Sequence, residues 1–135
     1  MNMNLAKPKL LIALLVLTVF SACESEATKT EKKNLLVGEH QTEIKLLLDS
    51  VSVYLDSALI LADNKIDTVG LNTRILPTIE SFRKKISAAN KEFLAEAAET
   101  RITDHELNEI LFKFNEYMAP MEEKIKKLHE KGVNL

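Results

Sequence analysis

The sequence predicts an all-α fold, a three-helix up-down-up bundle, and three observations predict it. From about residue 35 onward the apolar side chains recur at intervals of three and four in three separate blocks, the period of one helix face. Strict alternation of apolar and polar residues, the mark of a half-buried strand, is sustained nowhere. With only three Gly and three Pro in 135 residues, and runs rich in Leu, Lys, Glu and Ala, the chain favours long uninterrupted helices around one core. Its length leaves room for one domain.

The first block places Ile44, Leu47, Leu48, Val51, Leu55, Leu59, Ala62 and Ile66 on one side of a helix. The run Asp63 to Gly70 (DNKIDTVG) breaks it, and Pro77 suits the first turn of the next helix, where a missing N–H is not needed. The second block is Ile75, Ile79, Phe82, Ile86, Ala89, Phe93 and Ala97. Thr103-Asp104-His105-Glu106 then reads as a capping box, in which the Thr103 hydroxyl accepts from the Glu106 N–H and the Glu106 carboxylate reaches back to the Thr103 N–H. The third block is Leu107, Ile110, Leu111, Phe114, Met118, Met121, Ile125 and Leu128, closed by Gly132, with a kink expected where Pro120 frees the carbonyl of Glu116. Helices of roughly 25 to 30 residues, about 40 Å long, follow.

One feature departs from a plain bundle. At 100° per residue from Ile44, the core stripe lies within roughly 60° of zero, whereas Leu46, Val53 and Ile60 fall at about 160° to 200°. These three form a second ridge spaced by sevens, flanked by Lys45, Asp49, Ser52, Asp56 and Asp63 on one side and Glu43, Ser50, Ser57 and Asn64 on the other. A closed three-helix bundle leaves such a ridge in water. It is the expected partner-binding surface, to be covered by a second copy in a homodimer or by another envelope protein.

The N-terminal region carries a different signal. Lys7 and Lys9 form a short basic head, and Leu10 to Phe20 (LLIALLVLTVF) is an unbroken apolar stretch of the length expected for a secretory signal core. A transmembrane helix needs about 20 apolar residues, and Leu10–Ala22 falls well short. The stretch ends in Phe20-Ser21-Ala22-Cys23, which resembles the lipobox of bacterial lipoproteins: an aliphatic residue, two small ones and the cysteine. Phe20 stands where leucine is commonest. The resemblance covers the N-terminal sixth of the chain. It implies a signal peptide over 1–22, cleavage between Ala22 and Cys23, a diacylglyceryl group on the Cys23 thiol and acylation of the new amino group.

Cysteine arithmetic agrees, because Cys23 is the chain's one cysteine, so no intramolecular disulfide is possible and a lone exported thiol would otherwise be unexplained. Two or three acyl chains make membrane residence stable where one gives only marginal binding. Residues 24–34 hold no apolar side chain larger than alanine, so 23–34 read as the lipidated cysteine and a flexible polar tether; residues 35–135 are the helical domain. Glu24 is not the aspartate that retains enteric-type lipoproteins at the inner membrane, which favours the outer membrane.

Chemistry-bearing constellations are sparse. Ser81-Phe82-Arg83-Lys84 matches the S-x-x-K string of serine penicillin-binding enzymes, yet the companion S-D-N and K-T-G strings are missing and Ser81 falls on a polar face. His40, His105 and His129 show no metal-binding spacing beyond the half-site His105/Glu109, so no metal site is expected. Met118, Met121 and His129 are available as haem ligands, but the methionines lie in the apolar stripe and no cofactor is expected. Tyr54 and Tyr117 stand at the margins of apolar stripes, where packing is their role, and no Trp offers a sugar platform. The basic clusters Arg83-Lys84-Lys85 and Lys124-Lys126-Lys127 are diluted by acidic neighbours. Removal of residues 1–22 leaves 16 basic against 20 acidic side chains, a net charge of about −4, which argues against nucleic acid as a partner. The function expected is that of a non-enzymatic, membrane-tethered binding or scaffold domain of the cell envelope. A periplasmic holdase, or a haem- or metal-binding bundle, are the alternatives.

Overall fold

The computed structural model describes residues 26–135. The signal peptide, Ala22 and Cys23 lie outside the described residues. Three long helices are present, α1 (Glu26–Asn64), α2 (Leu76–Glu99) and α3 (Asp104–Glu130), and no strand occurs among the described residues. The chain divides between Lys32 and Lys33 into two units. In the described part of the first, Lys29 pairs with Glu26 at 3.6 Å and the Thr30 hydroxyl donates to the Glu26 carbonyl at 2.9 Å. The second unit, 33–135, contains the bundle.

Residues 26–34, expected to be part of a flexible tether, are helical. Polarity alone does not make a segment flexible. Glu, Lys and Ala are good helix formers, no Pro or Gly interrupts the chain between Glu26 and Gly38, and exposed residues three and four apart pair along the same face.

Cross-contacts in the second unit set the topology. Between α1 and α3 both numbers rise together: Lys33 with Glu106, Gln41 with Tyr117, Ser52 with Lys124 and Asp63 with Lys131. These two helices run parallel. Between α1 and α2 the order reverses, His40 meeting Asn90 and Phe93 while Tyr54 meets Phe82, so α2 runs antiparallel to both. The arrangement is the expected up-down-up bundle.

The corner between α1 and α2 is tighter than the sequence suggested. Lys65 and Asp67 adopt left-handed backbone angles (φ 51° and 45°), and Asp67 then caps a single helical turn, Thr68–Gly70, by accepting from the Gly70 N–H at 3.0 Å. The second Asp67 carboxylate oxygen accepts from Arg74 at 3.2 Å. Gly70 has an ordinary helical φ, so its need for glycine is one of space: a Cβ there would collide with the Asp67 carboxylate. Residues Leu71–Ile75 form a wide π-helical turn leading directly into α2, with Pro77 in its first turn. Helix therefore starts well ahead of Pro77. Its ring blocks the bond to the carbonyl four residues back, and the widened turn just before it accommodates the loss.

The start and the end of α3 are as expected. The Thr103 hydroxyl accepts from the Glu106 N–H at 3.3 Å, and the Glu106 carboxylate accepts from the Thr103 N–H at 2.8 Å, completing the capping box. That exposed carboxyl titrates below its ordinary range because the Thr103 backbone N–H stabilises its charged form. α3 continues unbroken through Pro120. It ends in a Schellman motif: Gly132 at φ 79° donates to the His129 carbonyl, and Val133 donates to that of Leu128.

Two clusters fill the core. The larger is aliphatic, built on Ile44, Val51, Leu55, Ile79, Ile86, Met121, Ile125 and Leu128. The smaller, at the end where α1 enters the bundle, is aromatic, with Phe93, Phe114, Ala97 and the half-buried Tyr117, Leu107 and Ile110. One expected core residue is not there. Ile66 is 54% exposed, because α1 stops at Asn64 and Ile66 lies between the two left-handed residues of the corner; Leu71, just past the corner, is buried.

Candidate functional site: the outer face of α1

The candidate surface follows from which side of α1 the bundle consumes. Ile44, Val51, Leu55 and Ala58 are fully buried against α2 and α3, and the opposite side is left to solvent. On that side Leu46, Val53 and Ile60 are 67%, 64% and 58% exposed. Three branched aliphatic side chains in line over about 21 Å of helix are unusual for a surface that touches only water.

Polar residues between and beside them are satisfied without a partner. The hydroxyls of Ser50 and Ser57 donate to the carbonyls of Leu46 and Val53 at 2.8 and 2.9 Å. Asn64 Nδ2 donates to the Ile60 carbonyl at 2.9 Å, and the Thr42 hydroxyl to that of Gly38 at 2.8 Å. Each closes on its own helix four residues back, so covering the ridge would strip little hydrogen-bonded water from these groups. The acidic flank leans towards α3: Asp56 pairs with Lys124 at 2.7 Å, Asp63 with Lys131, and the Lys124 ammonium also reaches the Ser52 hydroxyl at 2.7 Å. Lys45 sits over the Tyr117 ring, 4.6 Å from its centre. Asp49 has no ion-pair partner among the described residues.

Leu35, 60% exposed, belongs to the same line and was missed. Eleven residues before Leu46 it points within about 20° of it, a spacing that departs from the seven-residue step of the other three.

A second site was also missed. His40 is 5% exposed, stacked flat on Phe93 with ring centres 4.4 Å apart and planes 10° from parallel, and edge-on to Phe114 at 4.7 Å. Its Nε2 is 3.0 Å from Asn90 Oδ1, and Asn90 Nδ2 in turn faces the Met118 sulfur at 4.0 Å. Burial lowers the imidazole pKa from its ordinary 6.5, against the raising effects of the Asn90 bond and the carboxylates of Glu43 and Glu96. A cleft of about 260 Å³ opens beside it, rimmed by Glu39, Glu43, Glu92 and Glu96. The spacing did carry a clue, since His40 lies four residues before Ile44 on the core stripe.

Other candidates fall as surface or packing residues. Ser81 is exposed on α2. His105 and Glu109 are an exposed pair at 3.5 Å, and no group of three metal-ligating side chains occurs among the described residues. Met118 and Met121 pack on the aliphatic core, and His129 is exposed on the last turn of α3. Tyr54 packs on Phe82 with ring centres 5.8 Å apart, and the Tyr117 hydroxyl accepts from Gln41 at 2.9 Å. No described helix is long and apolar enough to cross a membrane. Comparison with protein-family models, with curated proteins and with solved structures finds no match to this chain.

Proposed function

We propose that this is a lipid-tethered protein of the bacterial cell envelope whose helical domain acts by binding another protein through the outer face of α1, not by catalysis. The observation that carries the binding reading is the exposure of Leu46, Val53 and Ile60 in one line on a helix whose other side is already buried. Burying such side chains contributes about 1.5 to 3 kcal/mol each, enough for three of them to hold a specific complex once polar neighbours need no new partners. The tether rests on Phe20-Ser21-Ala22-Cys23 at the end of an apolar signal core, and the outer membrane on the absence of aspartate after the cysteine. Net acidity of the mature chain fits a protein partner better than nucleic acid.

A paired substitution tests the binding surface. Val53→Glu is expected to shift the urea midpoint of the folded domain by less than about 0.5 kcal/mol in stability while abolishing partner capture, because it places an unpaired charge in a desolvated contact. Val51→Glu, at 0% exposure, should unfold the domain. If both substitutions unfold it equally, the ridge belongs to the core and the reading fails. The tether is tested by metabolic labelling with an alkyne fatty acid: wild type should label and Cys23→Ser should not. Equal labelling would remove the lipid anchor. One captured partner supports a scaffold, and promiscuous capture of unfolded chains a holdase.

A further inference from the structure

The ridge has a complement on the same molecule. On the side of the bundle away from α1, helices α2 and α3 leave a groove of about 510 Å³ whose floor is Ile86, Met118, Met121 and the 41% exposed Leu94. Its α2 rim carries Lys84 and Lys91, which have no ion-pair partner among the described residues, whereas Arg83 is engaged by Glu80 at 3.2 Å. We infer that the occupant of this groove is the α1 ridge of a second copy of this chain. The inference rests on the reading of the ridge as a protein-binding surface, and names its partner.

Length and charge both fit. Leu46 to Ile60 spans fourteen residues, and so does the α2 wall of the groove from Glu80 to Leu94, about 21 Å each. Beside the ridge stand Asp49 and Asp56, seven residues apart, and on the groove rim Lys84 and Lys91, also seven apart. Asp49 and Asp56 lie on the flank of α1 that faces α3, as the Asp56–Lys124 pair shows. They therefore meet the α2 rim of another copy when its α2 runs parallel to the incoming α1. In that register Asp49 stands opposite Lys84, Asp56, which is also held by Lys124 of its own copy, stands opposite Lys91, Val53 lies over Ser87 and Ala88, and Ile60 beside Leu94. Glu122, the groove's acidic residue on α3, then faces the serine flank of α1, Ser50 and Ser57, instead of its carboxylates. The alternative occupant, the same ridge of another copy, is disfavoured because antiparallel ridges centred on Val53 bring like flanks together and would set Asp49 of each copy against Asp56 of the other. Ridge-into-groove contact is heterologous: each copy keeps one free ridge or groove, so association continues beyond a pair.

The test uses the full chain, co-expressed in its membrane with two different tags and treated with a short bismaleimide, the unsubstituted chain serving as the blank for Cys23. A Val53→Cys copy should cross-link to a Ser87→Cys copy, and a chain carrying both substitutions should give a ladder beyond dimers. Adding Lys84→Glu to the groove copy should lower the yield about tenfold, and Asp49→Lys on the ridge copy should restore it. Circular dichroism of each variant verifies that the bundle is intact. Cross-linking of Val53→Cys to itself alone would overturn the proposal in favour of a face-to-face dimer. Cross-linking of Val53→Cys to a different protein, with none between copies, would overturn it and leave the binding function standing. No cross-link from Val53→Cys, together with equal partner capture by the wild type and Val53→Glu, would overturn both.

Discussion

The two ends of the bundle are filled in different ways. Around Ile44, Val51, Leu55 and Leu128 the core is aliphatic and fully buried, with no polar side chain among its members. At the other end Phe93, Phe114 and Tyr117 surround His40, whose ring is held by stacking on one face and by Asn90 at its edge. Aliphatic contact is non-directional, so the first end needs only the right volume. Aromatic and hydrogen-bonded contacts depend on angle, so the second needs particular residues in particular rotamers. A bundle of one topology thus joins an end fixed by packing to an end fixed by geometry and open to titration.

The largest expected effect breaks the first end. Leu55→Ala removes a fully buried side chain where α1 meets both other helices and should cost about 2 to 5 kcal/mol in urea unfolding. A cost below about 1 kcal/mol would mean that this end collapses around the cavity and is not held by packing.

A smaller effect sharpens the second end through pH. Because burial lowers the His40 pKa in the folded state, the unfolded chain takes up a proton there before the folded one does. Stability should be complete above the ordinary value of 6.5 and fall as the pH drops from there towards the lowered folded value. In His40→Leu that loss should disappear from the same window. Its persistence in the variant would show that the dependence comes from carboxylates elsewhere. Glu106 acts in the same sense at lower pH, since its carboxyl is depressed by the capping bond and loses that support once protonated.

Much of this architecture was legible in the residues themselves, for reasons that differ by element. The core stripes of α2 and α3 could be read because each carries one apolar face of constant period, and the capping box because its two residues act on each other across three positions. The ridge of α1 was legible from angle alone. Helix over 26–34 was not, since a solvated helix and a flexible polar segment draw on the same side chains. Neither was the corner: left-handed backbone at Lys65 and Asp67, and a π-helical turn after Gly70, arise from how α2 must return along α1. His40 stood on the core stripe, but its pairing with Asn90 fifty residues away is a tertiary fact that no local pattern holds. The groove facing away from α1 was illegible for the same reason, being made by two helices together.

The Met118, Asn90 and His40 chain has a spectroscopic consequence. With its amide nitrogen turned to the Met118 sulfur, Asn90 offers oxygen to the imidazole, so Nε2 carries the proton and Nδ1 does not. One tautomer should therefore dominate, with two widely separated ring-nitrogen resonances where a solvent-exposed histidine would average them. The parallel face of Phe93 adds a ring current that moves the ring-proton signals of His40 upfield. The protein thus carries an unlabelled reporter at one place in the bundle, able to follow the opening of the aromatic end while the aliphatic end stays closed.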